Sequence, residues 1–125
     1  MIKSYRDLIV WQKSITLVEQ IYSIVYRFPK NEENCLSYQI RKSVISIPSN
    51  NLPDGSQVAE GYGRKYTAEY SRFLQFARGS LYELNTQLEI VKRLQYFDNE
   101  CIKTVEPIVM EIKKMLNSMI NKLKK

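Results

Sequence analysis

Two thiols, a scatter of carboxylates and no imidazole are what this chain offers for chemistry. Cys35 and Cys101 are its two cysteines, and histidine is absent. A nucleophilic cysteine needs a base or a positive neighbour to hold it as thiolate, and neither has a histidine for that task. The same pair cannot supply the three or four soft ligands of a zinc site. Reduced thiols buried as small apolar residues are therefore expected. No serine stands in the Gly-x-Ser-x-Gly setting that exposes a nucleophile. Glu32 and Glu33 follow a lysine in a connecting segment. Glu83 and Glu89 are separated by about 600° of helix rotation, so they do not share a face. Gly61-Tyr62-Gly63 is only a fragment of a phosphate-cradling loop, with no preceding strand and no lysine-threonine ending, and a helix-terminating or tight-turn glycine pair is the better reading. The expectation is a non-enzymatic protein with no metal and no cofactor.

Binding is what remains. The net charge is +6, and it is uneven: residues 1–40 carry +1, 41–78 carry +3, 79–102 carry −2 and 103–125 carry +4. Such an excess suits an anionic partner, although it also serves solubility. Nine tyrosines are present, several beside cations: Tyr5-Arg6, Tyr26-Arg27, and Tyr62 and Tyr66 around Arg64-Lys65. Aromatic rings next to cations can stack bases while phosphates are neutralised. They can equally line a core edge or a subunit interface with their hydroxyls in water.

The elements that must position these groups are helices. With four glycines and four prolines in 125 residues, little punctuates the chain. The first apolar stripe, Leu8, Trp11, Ile15, Val18, Tyr22 and Val25, predicts a helix over about 5–28. Ser4 and Asp7 suit its start and Pro29 its end. A second row, Leu17, Ile21, Ile24 and Phe28, widens the apolar face beyond one core contact and suggests self-association. Leu36, Ile40, Val44 and Ile47 predict a second helix over about 34–47, stopped or kinked at Pro48. Residues 49–65 are turn-rich, with Leu52-Pro53-Asp54-Gly55 fitting a type I turn.

Tyr70, Phe73, Ala77, Leu81, Leu84, Leu88 and Val91 predict a third helix over about 67–96, with Thr67 as N-cap. Gly79 within it suggests a close helix contact, since glycine costs about 1 kcal/mol there against alanine. Ile102, Val105, Val109, Ile112, Leu116, Met119 and Leu123 predict a fourth over about 98–123. Asp98 or Asn99 caps it, and Pro107 kinks it mildly. Short connections then favour an all-α, antiparallel up-down four-helix bundle as a single domain over 1–125. No uncharged apolar run is long enough to cross a bilayer and no secretory signal opens the chain, so a cytoplasmic location is expected.

Three stretches stand out together: Asp7 to Lys13 (DLIVWQK), Gln39 to Asn50 (QIRKSVISIPSN) and Ala59 to Arg64 (AEGYGR), continued by Glu69 to Leu74, Gly79 to Leu84 and Thr86 to Leu88. As an ordered set they resemble the four-helix-bundle proteins encoded within 23S rRNA intervening sequences. The resemblance covers roughly residues 5–97. It implies a bundle that assembles into a ring, a pentamer, and that associates with ribosomal RNA. Related bundles serve as accessory proteins to reverse transcriptases of retroelements, so a nucleic-acid-binding protein is the alternative partner. The sequence departs from the pattern between Asn51 and Val58, where about seven extra residues separate the Ser-Ile-Pro-Ser-Asn motif from Ala-Glu-Gly. Arg41 and Arg64 fall on matching positions, with Lys42, Lys65 and Arg72 nearby. These five are the candidate RNA contacts, set against roles as helix caps or solvated ion-pair partners.

Overall fold

The computed structural model describes residues 8–51 and 64–124, residues 64–67 by their backbone alone. Among the described residues five α-helices make four arms: α1 (Ile9–Val25), α2 (Leu36–Asn50), α3 (Arg64–Leu94), and a split last arm of α4 (Asn99–Lys103) and α5 (Glu106–Leu123). Helix α1 begins where extended Leu8 meets the first apolar turn. It tightens at its end, where Arg27 and Phe28 donate to Ile24 and Val25 three residues back, before Pro29. A 3-10 turn over Lys30–Glu32 leads into α2.

Polar contacts between the arms give their directions. Asn51 at the end of α2 meets Ser14 near the start of α1 at 2.9 Å. Ser46 pairs with Ser80 at 2.7 Å, and Tyr70 donates to the Asn51 carbonyl at 3.3 Å, so α2 and α3 are antiparallel. Arg78 donates to Asn117 at 2.9 Å and Lys92 to Glu106 at 2.6 Å, which reverses direction again from α3 to α5. The expected up-down four-helix bundle is the observed architecture, and no strand occurs among the described residues.

The core shows which apolar row each helix turns inward. On α1 it is Leu17, Ile21, Ile24 and Phe28 that are buried, with Val10 and Val25. Val18 only packs against its edge, and Tyr22 is exposed. The second row is thus the core row rather than a surplus one, and the argument for self-association from Leu17, Ile21 and Ile24 fails. Ser14 completes the buried row because its hydroxyl donates to the Val10 carbonyl at 2.7 Å, which satisfies it inside the helix. In α3 the inward row is Leu74, Ala77, Leu81, Leu84, Leu88 and Val91, whereas Phe73 stays exposed. In α5 Ile120 is buried, while Met119 and Leu123 pack at its margin.

Several local expectations are corrected. Pro48 does not end α2, which runs to Asn50 with the proline buried inside it. Ser49 donates to the Ile45 carbonyl at 2.8 Å and Asn50 to that of Ser46 at 2.8 Å, so side chains serve the acceptors around the proline. Helix α3 starts at Arg64, which leaves Thr67 inside it rather than capping it. A methyl group at Gly79 would have no neighbour within 4 Å, so no close contact explains that glycine.

Pro107 sits in the first turn of α5, where its fixed φ and missing amide proton are tolerated; it starts a helix instead of bending one. The break precedes it, at Thr104, whose hydroxyl donates to the Cys101 carbonyl at 2.6 Å. Asp98 does cap the last arm, accepting from the Glu100 amide at 2.9 Å. The Ser4–Asp7 start signal, the Leu52–Gly55 turn, the Gly61–Gly63 pair and the extra residues after Asn51 lie outside the described residues, apart from Asn51 itself.

Candidate nucleic-acid interface

Both thiols are exposed, against the expectation of burial. Cys35 precedes α2 and Cys101 sits on the outer side of short α4, where neither faces the apolar row of its helix. Among the described residues no group of three or more metal-ligating side chains of the His, Cys, Asp or Glu type occurs. A groove of about 280 Å³ between α3 and α5 includes Asn85, Glu89, Lys92 and Glu106 in its lining. Its lysine and Glu106 are bonded to each other at 2.6 Å. That bond, with the nearby charges of Glu106 and Glu89, outweighs desolvation and raises the Lys92 pKa.

The five candidate cations do not form one patch on a single chain. Because Ser46 faces Ser80, antiparallel register sets Arg41 roughly level with residue 85 of α3. Arg72 then lies about 20 Å away along the axis, and the helical position of Arg64 about 30 Å away, at 1.5 Å per residue. Arg41 is occupied locally: its guanidinium donates to the carboxylate of Glu33 at 3.3 Å and to the Glu33 carbonyl at 3.4 Å. Arg41 therefore ties the turn before α2 to its first turns. Lys42 beside it is exposed. The side chains of Arg64 and Lys65 lie outside the described residues, and their backbone forms the first turn of α3.

The charge divides instead by end. At the end built from residues 27–42 and 89–106, seven cations share the space with six carboxylates. Pairs Arg41–Glu33, Lys92–Glu106, Arg93–Glu89 and Lys103–Glu100 all belong there. The opposite end is formed by residues 64–78 of α3 and 117–124 of α5. Among the described residues it holds six cationic positions, Arg64, Lys65, Arg72, Arg78, Lys122 and Lys124, and one carboxylate, Glu69. Charged residues are absent from the stretch of α2 after Lys42, and Lys13 on α1 is paired with Glu111 at 2.6 Å. Among the described residues the surplus of positive charge is thus concentrated at one pole.

Aromatic rings accompany that pole; of the tyrosines singled out in sequence, Tyr26 is exposed on the other end, and the side chains of Tyr5, Tyr62 and Tyr66 lie outside the described residues. The Arg72 guanidinium lies 5.7 Å from the centroid of Phe73 and 6.0 Å from that of Phe76. The two phenyl rings are 6.2 Å apart and edge to face, and they are 40% and 52% exposed. Arg72 and Phe76 are i, i+4 neighbours and the two rings are i, i+3 neighbours, so a long guanidinium side chain laid on Phe76 also comes within reach of Phe73. That spacing is written in the sequence, but counting Phe73 within the core stripe hides it.

Of the tyrosines, Tyr22, Tyr26, Tyr38 and Tyr82 are exposed, and Lys113 sits 5.6 Å from the Tyr82 ring. Tyr70 and Tyr96 pack against the core. A hydrogen bond to Glu32, with smaller contributions from desolvation and the Glu32 charge, raises the Tyr96 pKa.

Comparison with known proteins places this arrangement. A solved protein of unknown function from the S23 ribosomal protein family of Bacteroides thetaiotaomicron is similar to the chain, with a TM-score of 0.70 and 27% identity. The alignment covers 90% of this chain and 98% of that one. No curated protein matches the chain. No helix among the described residues is long and apolar enough to cross a membrane. The family model of the 23S rRNA-intervening sequence protein matches residues 6–118, nearly the whole bundle, and the chain belongs to that family.

Proposed function

We propose that this protein is a non-catalytic, RNA-associated module that acts in the cytoplasm as a ring-shaped homo-oligomer, a pentamer by family resemblance. The observation that carries the reading is the basic pole, where six cationic positions meet one carboxylate. Charge left uncompensated within the fold attracts a polyanion, and the family's name points to ribosomal RNA as its class. Self-association rests on apolar side chains left outside the core. Tyr22 on α1, Ile45 on α2 and Ile90 on α3 are all exposed, and such apolar area suits protein contact.

The test is fluorescence anisotropy with a labelled ribosomal-RNA fragment, titrated at several salt concentrations, beside light scattering for mass. Log affinity should fall linearly with log salt, and the mass should exceed one chain. An absence of binding at low salt would remove the RNA reading. The same apolar surface would then favour the second reading, a scaffold for a nucleic-acid-binding protein such as a reverse transcriptase. A monomeric mass would remove the ring.

A further inference from the structure

We infer that the basic pole takes single-stranded RNA, with unpaired bases stacked on the Phe73–Phe76 pair under Arg72 and phosphates held by Lys122 and Lys124. This deepens the RNA reading and rests on it. Three observations meet at this pole. The rings lie on the α3 face that also carries Ser80 and the lysines on α5 across that helix, so the strand crosses the pole from one to the other.

The first is charge: residues 64–78 and 117–124 are strongly positive, while the other end is close to balanced. Lys122 and Lys124 make no ion pair among the described residues, so phosphate displaces no internal partner. The second is the pair of phenyl rings, exposed in a chain that buries its other phenylalanines wholly or partly: Phe28 is 7% exposed and Phe97 packs against the core. An exposed phenyl ring has no hydroxyl to hydrate, so water gains little from it. A base face covers such a ring without asking for sequence-specific hydrogen bonds.

The third is the position of Arg72. Its guanidinium is held by the rings, and no carboxylate pairs with it among the described residues. It can therefore stack on a base or reach a phosphate from one place.

Duplex RNA fits this pole less well. Its bases are stacked on one another, and a protein reads it through backbone shape rather than through a ring platform. Arg41 and Lys42, at the balanced end, are outside the proposed site.

The experiment is anisotropy on the intact protein with a labelled single-stranded oligouridine and a perfect hairpin of equal length, over a range of salt. Three double variants accompany the wild type: Phe73→Leu/Phe76→Leu, Lys122→Gln/Lys124→Gln and Arg41→Gln/Lys42→Gln. The single strand should bind more tightly than the hairpin. The leucine variant should weaken it by about tenfold or more with its salt slope kept, because stacking and not charge is removed. The Lys122/Lys124 variant should flatten the slope by roughly 0.7 for each phosphate no longer neutralised. The Arg41/Lys42 variant should leave both unchanged.

Equal losses in the Arg41/Lys42 and Lys122/Lys124 variants would overturn the polar placement. A leucine variant that keeps its affinity but falls in mass by light scattering would show that a second copy of the chain covers the rings. Tighter hairpin binding would overturn the single-strand assignment while leaving the RNA reading intact, and no binding of either RNA by the wild type would fell both.

Discussion

Single residues in this protein show how little a polar group costs inside a helical core when it has a partner. Ser14 is fully buried, yet it gives its proton to Val10 and takes one from the Asn51 side chain. Asn51 keeps one buried oxygen, Oδ1, without a hydrogen-bond partner. Removing the serine hydroxyl would strand its amide group as well. Ser14→Ala should therefore destabilise the protein by about 1–3 kcal/mol, read as a lower urea midpoint with an unchanged slope. Gln95 marks a different kind of site. It ends α3 with φ at 58°, in the left-handed region. The Tyr96 amide reaches back to Val91 and that of Gln95 to Lys92, the bonding of a Schellman cap. Glycine is the usual residue there. Gln95→Gly should raise stability by roughly 1 kcal/mol in the same denaturation experiment, since the strain of a side chain in that region is relieved.

At the scale of elements, periodicity tells where helices are and misjudges which row turns inward. The first helix offers two apolar rows, and the inner one is the row of Leu17 and Ile21, which are sealed, while Tyr22 of the other lies exposed. Sequence weighs hydrophobicity, but packing selects the row that small and aliphatic side chains can fill without voids. In α3 the predicted row is the inward one except at Phe73, where Leu74 turns inward instead, and this conceals the Arg72–Phe73–Phe76 cluster. Boundaries fail where a rule about proline meets its exceptions: a buried Pro48 flanked by back-bonding side chains, and Pro107 in a first turn. The two poles of charge are not legible either, because they depend on the antiparallel register that sets residue 72 near residue 122. Gly79 gives a clean check on the elements. It lies inside α3 with open space where a Cβ would stand. Gly79→Ala should stabilise the bundle by about 1 kcal/mol through helix propensity alone, seen as a higher melting temperature.

For the whole molecule, titration and charge act together. Among the described residues, Lys92 and Tyr96 have pKa values raised by their carboxylate partners. A group whose pKa is raised on folding lends stability that is complete below its unfolded value and is lost as pH passes the folded one. The window therefore opens above the ordinary values of 10.0 for tyrosine and 10.5 for lysine. Thermal stability should show no loss from these two groups around neutrality and should decline beyond pH 10, and absorbance at alkaline pH should show Tyr96 ionising late. Glu32→Ala should bring that late ionisation forward. The partition of charge has a last consequence for assembly. Rotational symmetry carries each end of a bundle only onto the equivalent end of the next. Copies joined flank to flank around an axis along the helices would therefore collect every basic pole on one rim. The rim would act as a multivalent collar, on which a strand released by one subunit is recaptured by its neighbour before it diffuses away. Such a collar would have a sidedness that no single chain needs: one mouth charged for nucleic acid, the other close to neutral.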